Sequence, residues 1–214
     1  MTATEVQAEA QGLVRTAIDV AARAGNLSVA GLTSALDGAG RSLTRRVVAG
    51  AEGAHEGLDD TKALARALRE RPRTPSLAGA TGAAMVLRLA RRTRLNILVR
   101  RTPAFLVAAA APALVASVSR GADELGMVAA HLISRARAAG VEPDLERVRR
   151  AAVQIVGHRV VDPEVEPSHG ALVLAWLRRA ARAALPFTAG VATADPKGMA
   201  AAAAAVDPTL LGPA

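Results

Sequence analysis

The chain contains no cysteine and no tyrosine, and its aromatic residues are three: Phe105, Trp176 and Phe187. Without cysteine there is no disulfide framework, no thiolate nucleophile, no Cys-ligated zinc and no iron–sulfur cluster. Three aromatics do not build the stacking platform on which single-stranded nucleic acid is held. Runs of β-branched and aromatic residues in strand-type alternation are also lacking. So are the P-loop, the GxGxxG fingerprint, the GxSxG elbow and the HExxH zinc motif. The case for an enzyme is therefore poor, and no cofactor is implied.

What is present is alanine, arginine and an uneven charge. The 214 residues are enough for a sizeable core. Arginine outnumbers lysine 25 to 2, as a GC-rich genome would produce, and the net charge is +8. Residues 1–70 carry 8 basic and 9 acidic groups, and residues 123–214 carry 10 of each. Residues 71–122 carry 9 basic groups and no acid, so this stretch holds the whole excess. A uniform bias toward arginine would not strip the acids from one stretch alone.

The same stretch contains 18 uncharged residues, 102–119. A membrane span needs roughly 20 apolar residues. Six here are strongly apolar (Phe105, Leu106, Val107, Leu114, Val115 and Val118). They supply about −2 to −4 kcal/mol of insertion energy, which Pro112 and the hydroxyl residues erode. The reading adopted is a buried apolar hairpin kinked at Pro112, with a single span or an interfacial segment as alternatives. Glu5 and Glu9 stand where a signal peptide would carry basic and then apolar residues, so a cytoplasmic chain is expected.

Helical periodicity covers most of the rest. Val6, Ala10, Leu13, Ala17 and Val20 recur at four- and three-residue steps. Val29, Leu32, Leu36, Leu43 and Val47 keep helical register, and Gly38 and Gly40 either break that segment or let another helix approach. Asp59 or Asp60 caps a short helix to about Arg69. Residues 122–139 place Leu125, Val128, Leu132 and Ala136 on one face before the stop at Gly140. Residues 144–156 place Leu145, Val148, Ala152 and Ile155 inward, with Arg147, Arg150 and Gln154 opposite. Ser168 caps a helix to about Ala184, and 199–206 is a short alanine-rich helix. The fold class is all-α, a single bundle of about seven helices with the kinked hairpin at its centre. It divides into an N-terminal helical segment (1–71), a main helical domain (76–206) and a loose tail (207–214).

The pattern from Pro112-Ala113-Leu114 through a long helix to Ala139-Gly140-Val141-Glu142-Pro143-Asp144, then Glu146-Arg147-Val148-Arg149, resembles the EcsC family of bacterial proteins. Leu185-Pro186 followed by Gly190 is similar to that family's apolar C-terminus. The resemblance covers about residues 100–190. It implies a helical hairpin with a short Asp/Pro turn, no settled catalytic residues, and action at membranes.

Two groups were weighed as metal or catalytic sites: Glu52, His55 and Asp59, and Glu124, His131 and Arg135. Neither has two histidines at helical ligand spacing, so no metal is expected. The basic residues are more informative. Arg88, Arg91, Arg92, Arg94, Arg100 and Arg101 fall within 14 residues but scatter around a helix. Arg178, Arg179 and Arg182 cluster within about 100° of arc. Leu172, Val173, Trp176, Leu177 and Leu185 occupy the other face, the composition of an interfacial membrane helix with Trp176 at the boundary. These nine arginines are the candidate contacts with an anionic surface. The expected function is peripheral association with the inner membrane surface or a membrane-bound partner. The alternative is a soluble helical interaction module or one that binds nucleic acid through phosphate contacts. The sequence gives no oligomeric state.

Overall fold

The computed structural model describes residues 2–23, 29–54, 57–70, 104–157, 160–183 and 195–213. Among the described residues seven α-helices run in the order α1 (Ala3–Arg23), α2 (Val29–Ala54), α3 (Thr61–Glu70), α4 (Ala104–Ala138), α5 (Leu145–Val156), α6 (His169–Ala183) and α7 (Pro196–Ala205). A 3-10 turn, Pro208–Leu211, follows, and the described residues contain no strand. The all-α class is as the periodicity predicts.

The stripes read from the sequence are the buried faces. Val6, Ala10, Leu13 and Ala17 of α1 are buried, as are Leu36, Leu43 and Val47 of α2. Each helix therefore inserts one apolar face into a common core. Helices on both sides of the 71–76 division contribute to that core, and α1, α2 and α3 all pack against α4.

The centre of the bundle differs from the expected hairpin. From Ala104 the apolar stretch is the first half of one 35-residue helix that continues through Pro112 to Ala138. Pro112, which has no amide hydrogen to donate to the preceding turn, is exposed. Helix α4 touches every other helix of the bundle. It ends at Gly140, whose φ of 75° only glycine adopts cheaply. The Gly140 amide donates to Arg137 O and the Val141 amide to Ala136 O at 2.9 Å each, closing the C-terminus in a Schellman arrangement.

Helix α2 runs unbroken through Gly38 and Gly40, and Gly40 serves close approach. A Cβ on Gly40 would stand 3.0 Å from the His169 carbonyl oxygen, and one on Gly170 would stand 1.9 Å from that of Thr33. Helices α2 and α6 thus meet backbone to backbone. Asp37 at this crossing accepts from the Gly170 amide at 3.1 Å and from the Ser168 hydroxyl at 3.3 Å.

Two expectations for the later chain need correction. The tail is docked: Leu211 is buried, the Asp144 amide donates to Leu211 O at 2.7 Å, and Arg147 donates to Gly212 O at 2.8 Å. Asp207 caps the turn, accepting from the Thr209 amide at 2.9 Å. On α5, Val148, Ala152 and Ile155 are buried as expected, but Gln154 is buried as well and Leu145 is 40 % exposed. Gln154 holds the acidic loop, donating to Asp162 O (2.8 Å) and Val165 O (3.0 Å) while its own oxygen accepts from the Asp162 amide (2.6 Å). A buried amide with its bonds made is cheap to keep inside.

Candidate functional site

Half of the cations whose side chains are described are spent on acids. The densest cluster joins α2, α5 and α6. Arg149 is 2 % exposed and holds Glu166 with two hydrogen bonds, at 2.9 and 3.0 Å, and Glu146 at 2.8 Å. Its guanidinium also donates to Nε2 of the fully buried His169. Arg41 reaches Asp37 and Glu166, and Arg45 reaches Glu146 at 2.7 Å. Burial, then the Arg149 charge, pushes His169 down to about 4, so its ring is neutral near pH 7. With Nε2 accepting, Nδ1 carries the proton and faces Glu166 Oε1 at 3.8 Å. Burial alone would raise Glu166 and Glu146; the Arg149 bonds, joined at Glu146 by Arg45, overcome it and hold both below the ordinary range. The cluster clamps three helices.

The arginines expected at an anionic surface divide three ways. Arg88, Arg91, Arg92, Arg94, Arg100 and Arg101 lie outside the described residues. Arg182 lies on α6 with its side chain outside the description. Arg178 is exposed. Arg179 instead turns to Glu124, which is 1 % exposed, and binds it at 2.8 Å. Arg120 meets the same carboxylate at 3.3 Å.

Trp176 is not at an interface. It is fully buried, because α6 lies against both α2 and α4 and turns its apolar face inward. Its indole occupies the space beside Gly121, where a Cβ would come within 2.3 Å of the ring. The Ser117 hydroxyl donates to Trp176 O at 2.5 Å and ties α4 to α6.

Of the two histidine groups, His55 lies outside the described residues, and Glu124 and His131 are engaged separately. His131 Nδ1 meets Leu58 O at 2.6 Å, and burial pushes its ring down. The described residues contain no cluster of three or more His, Asp or Glu suited to a metal ion.

One basic surface is not neutralised. Leu64 and Leu68 anchor α3 in the core and turn Lys62, Arg66 and Arg69 to the outside, at i, i+4 and i+7. Helix α7 packs beside α3 and brings exposed Lys197 to the same groove. The groove has a volume of about 410 Å³, and Ala65, Ala200 and Ala201 leave it open. Among the described residues no carboxylate lines it. Among the described residues none of these four cations has an ion-pair partner. By contrast, the groove of about 700 Å³ between α1 and α2 is lined by Glu5, Glu9 and Arg46, and Arg46 is bound to Glu9.

The α3–α7 groove is not among the sites that local sequence pattern marks. Its signal was the lysine count: the chain's two lysines are Lys62 and Lys197, and both line it. Periodicity finds the three α3 cations, but only the fold brings α7 alongside. No family model, no curated protein and no solved structure matches this chain.

Proposed function

We propose that the protein is a non-enzymatic helical module that attaches from the cytoplasm to an anionic membrane surface, with the α3–α7 face as its described contact. The observation that carries this reading is the gathering of four unpaired cations on one groove, in a molecule that pairs most of its other described cations. Helix α3 also leads directly into the acid-free stretch 71–122, which carries nine arginines. Each basic group near an anionic surface contributes about 1 kcal/mol, so the four cations of this surface together supply about 4 kcal/mol. No described helix is long and apolar enough to cross a membrane. The resemblance to the EcsC family implies the same place of action.

Vesicle flotation tests the reading. Binding to vesicles with 30 mol % (roughly) phosphatidylserine is expected at low salt and weakens toward moderate salt as the charges are screened. Arg66→Glu with Arg69→Glu is expected to reduce binding at least roughly tenfold, since two reversals remove about 2 kcal/mol or more. Trp176 emission is expected to be blue without lipid and to stay unmoved when vesicles are added, because the ring is already buried. Equal binding to neutral phosphatidylcholine overturns the reading. Binding to duplex DNA with none to vesicles assigns the same cations to nucleic acid.

A further inference from the structure

We infer that the α3–α7 groove is a binding site for a phosphomonoester group. This deepens the membrane reading, and rests on it only where the phosphomonoester is a lipid headgroup.

Three observations converge on that chemistry. The first is charge density. Lys62, Arg66, Arg69 and Lys197 line one groove of about 410 Å³, with no carboxylate among its described lining residues. A phosphomonoester carries about −1.5 to −2 at neutral pH and three acceptor oxygens. It therefore gains more from four converging cations than a carboxylate or a phosphodiester, each of which carries a single charge.

The second is the kind of cation. Arginine fills 25 of the chain's 27 basic positions, and the two lysines both line this groove, one from each helix. An ammonium is a compact point charge with three donors, and it approaches a tetrahedral oxyanion from any side. The guanidinium forks of Arg66 and Arg69 supply the planar, two-pronged contacts that complete such a cradle.

The third is space. Besides the four cations, the described lining is Thr61, Ala65, Ala200 and Ala201. Longer side chains would fill the cleft. Alanines leave a volume larger than a phosphate alone, with apolar methyl groups where the organic part of the ester would lie.

The test uses the whole chain and three probes: vesicles containing phosphatidic acid, phosphatidylserine vesicles matched in zeta potential, and soluble glycerol 3-phosphate. With unaltered protein, phosphatidic acid is expected to bind at least fivefold better than phosphatidylserine. Glycerol 3-phosphate is expected to slow acylation of Lys62 and Lys197 by an amine-reactive reagent, read by mass spectrometry. Lys62→Gln with Lys197→Gln is expected to abolish the lipid preference, and Lys62→Arg with Lys197→Arg to restore binding to both lipids without the preference. Thermal melts of both variants check the fold, and the lysine protection needs no variant at all. Equal binding to the two lipids without lysine protection overturns the phosphomonoester site and leaves the membrane reading standing. Protection by glycerol 3-phosphate with no vesicle binding keeps the site, makes its ligand soluble and overturns the membrane reading. Neither effect overturns both.

Discussion

Arg178 and Arg179 adjoin in sequence and answer to different partners. The first is exposed; the second binds a carboxylate that is 1 % exposed. Reversing them separately should split accordingly. Arg178→Glu is expected to shift stability by no more than about 0.5 kcal/mol. Arg179→Glu sets a like charge against buried Glu124 and is expected to cost about 3 kcal/mol, with Arg120 retaining part of the pairing. Urea unfolding of the two variants checks this, and equal midpoints would contradict it. The sequence shows a basic arc on an amphipathic helix and stops there. Glu124 is 55 positions away, and no local pattern announces that the two meet. For the same reason Trp176 looks like a boundary residue: its neighbours in sequence include arginines, while its neighbours in space include Gly121.

Among the elements, α2 and α6 depend on glycine at their crossing. A methyl on Gly170 would overlap the Thr33 carbonyl, a backbone atom that cannot rotate away. Gly170→Ala is therefore expected to cost about 3 kcal/mol and force the helices apart. Gly12→Ala, with nothing within 4 Å, is expected to be neutral or stabilising. Thermal melts of the pair check the contrast. Helix positions were legible because apolar spacing fixes them, and so were the stop at Gly140 and the start at Asp144, where backbone conformation and capping are local chemistry. The docking of residues 207–213 was not. Its bonds to Asp144 and Arg147 join segments more than sixty positions apart, and a short run of Asp, Pro and Gly reads locally as a free end.

For the whole molecule, acid weakens the fold through its charged clamp. His169 titrates near 4 in the folded chain and near its ordinary 6.5 when unfolded. Between those values the unfolded chain holds the proton and the folded chain does not, so stability falls as pH drops through that window. The loss from this group approaches about 3 kcal/mol near pH 4. Glu146, Glu166 and Asp37, all held below their ordinary values, lose stability in the same direction as they protonate lower down. Urea midpoints at pH 7.5, 6 and 5 (roughly spaced across the window) are expected to fall in that order, and His169→Gln to flatten the slope. A midpoint that does not move on acidification would contradict the clamp. The all-α class followed from what the chain lacks, since nothing in it supports a sheet. The clamp did not: its members come from three helices and a loop, each with an ordinary surface pattern.

Both side-chain amines of this protein open onto one groove, and that governs how it can be handled and altered. Coupling through lysine to a bead or sensor surface attaches the molecule by this groove and covers it, so binding measured on such a support will understate the face that matters. Acetylation of lysine, from whatever source, has the same two addresses, and each event subtracts one of the four charges there while every arginine pair elsewhere stays intact.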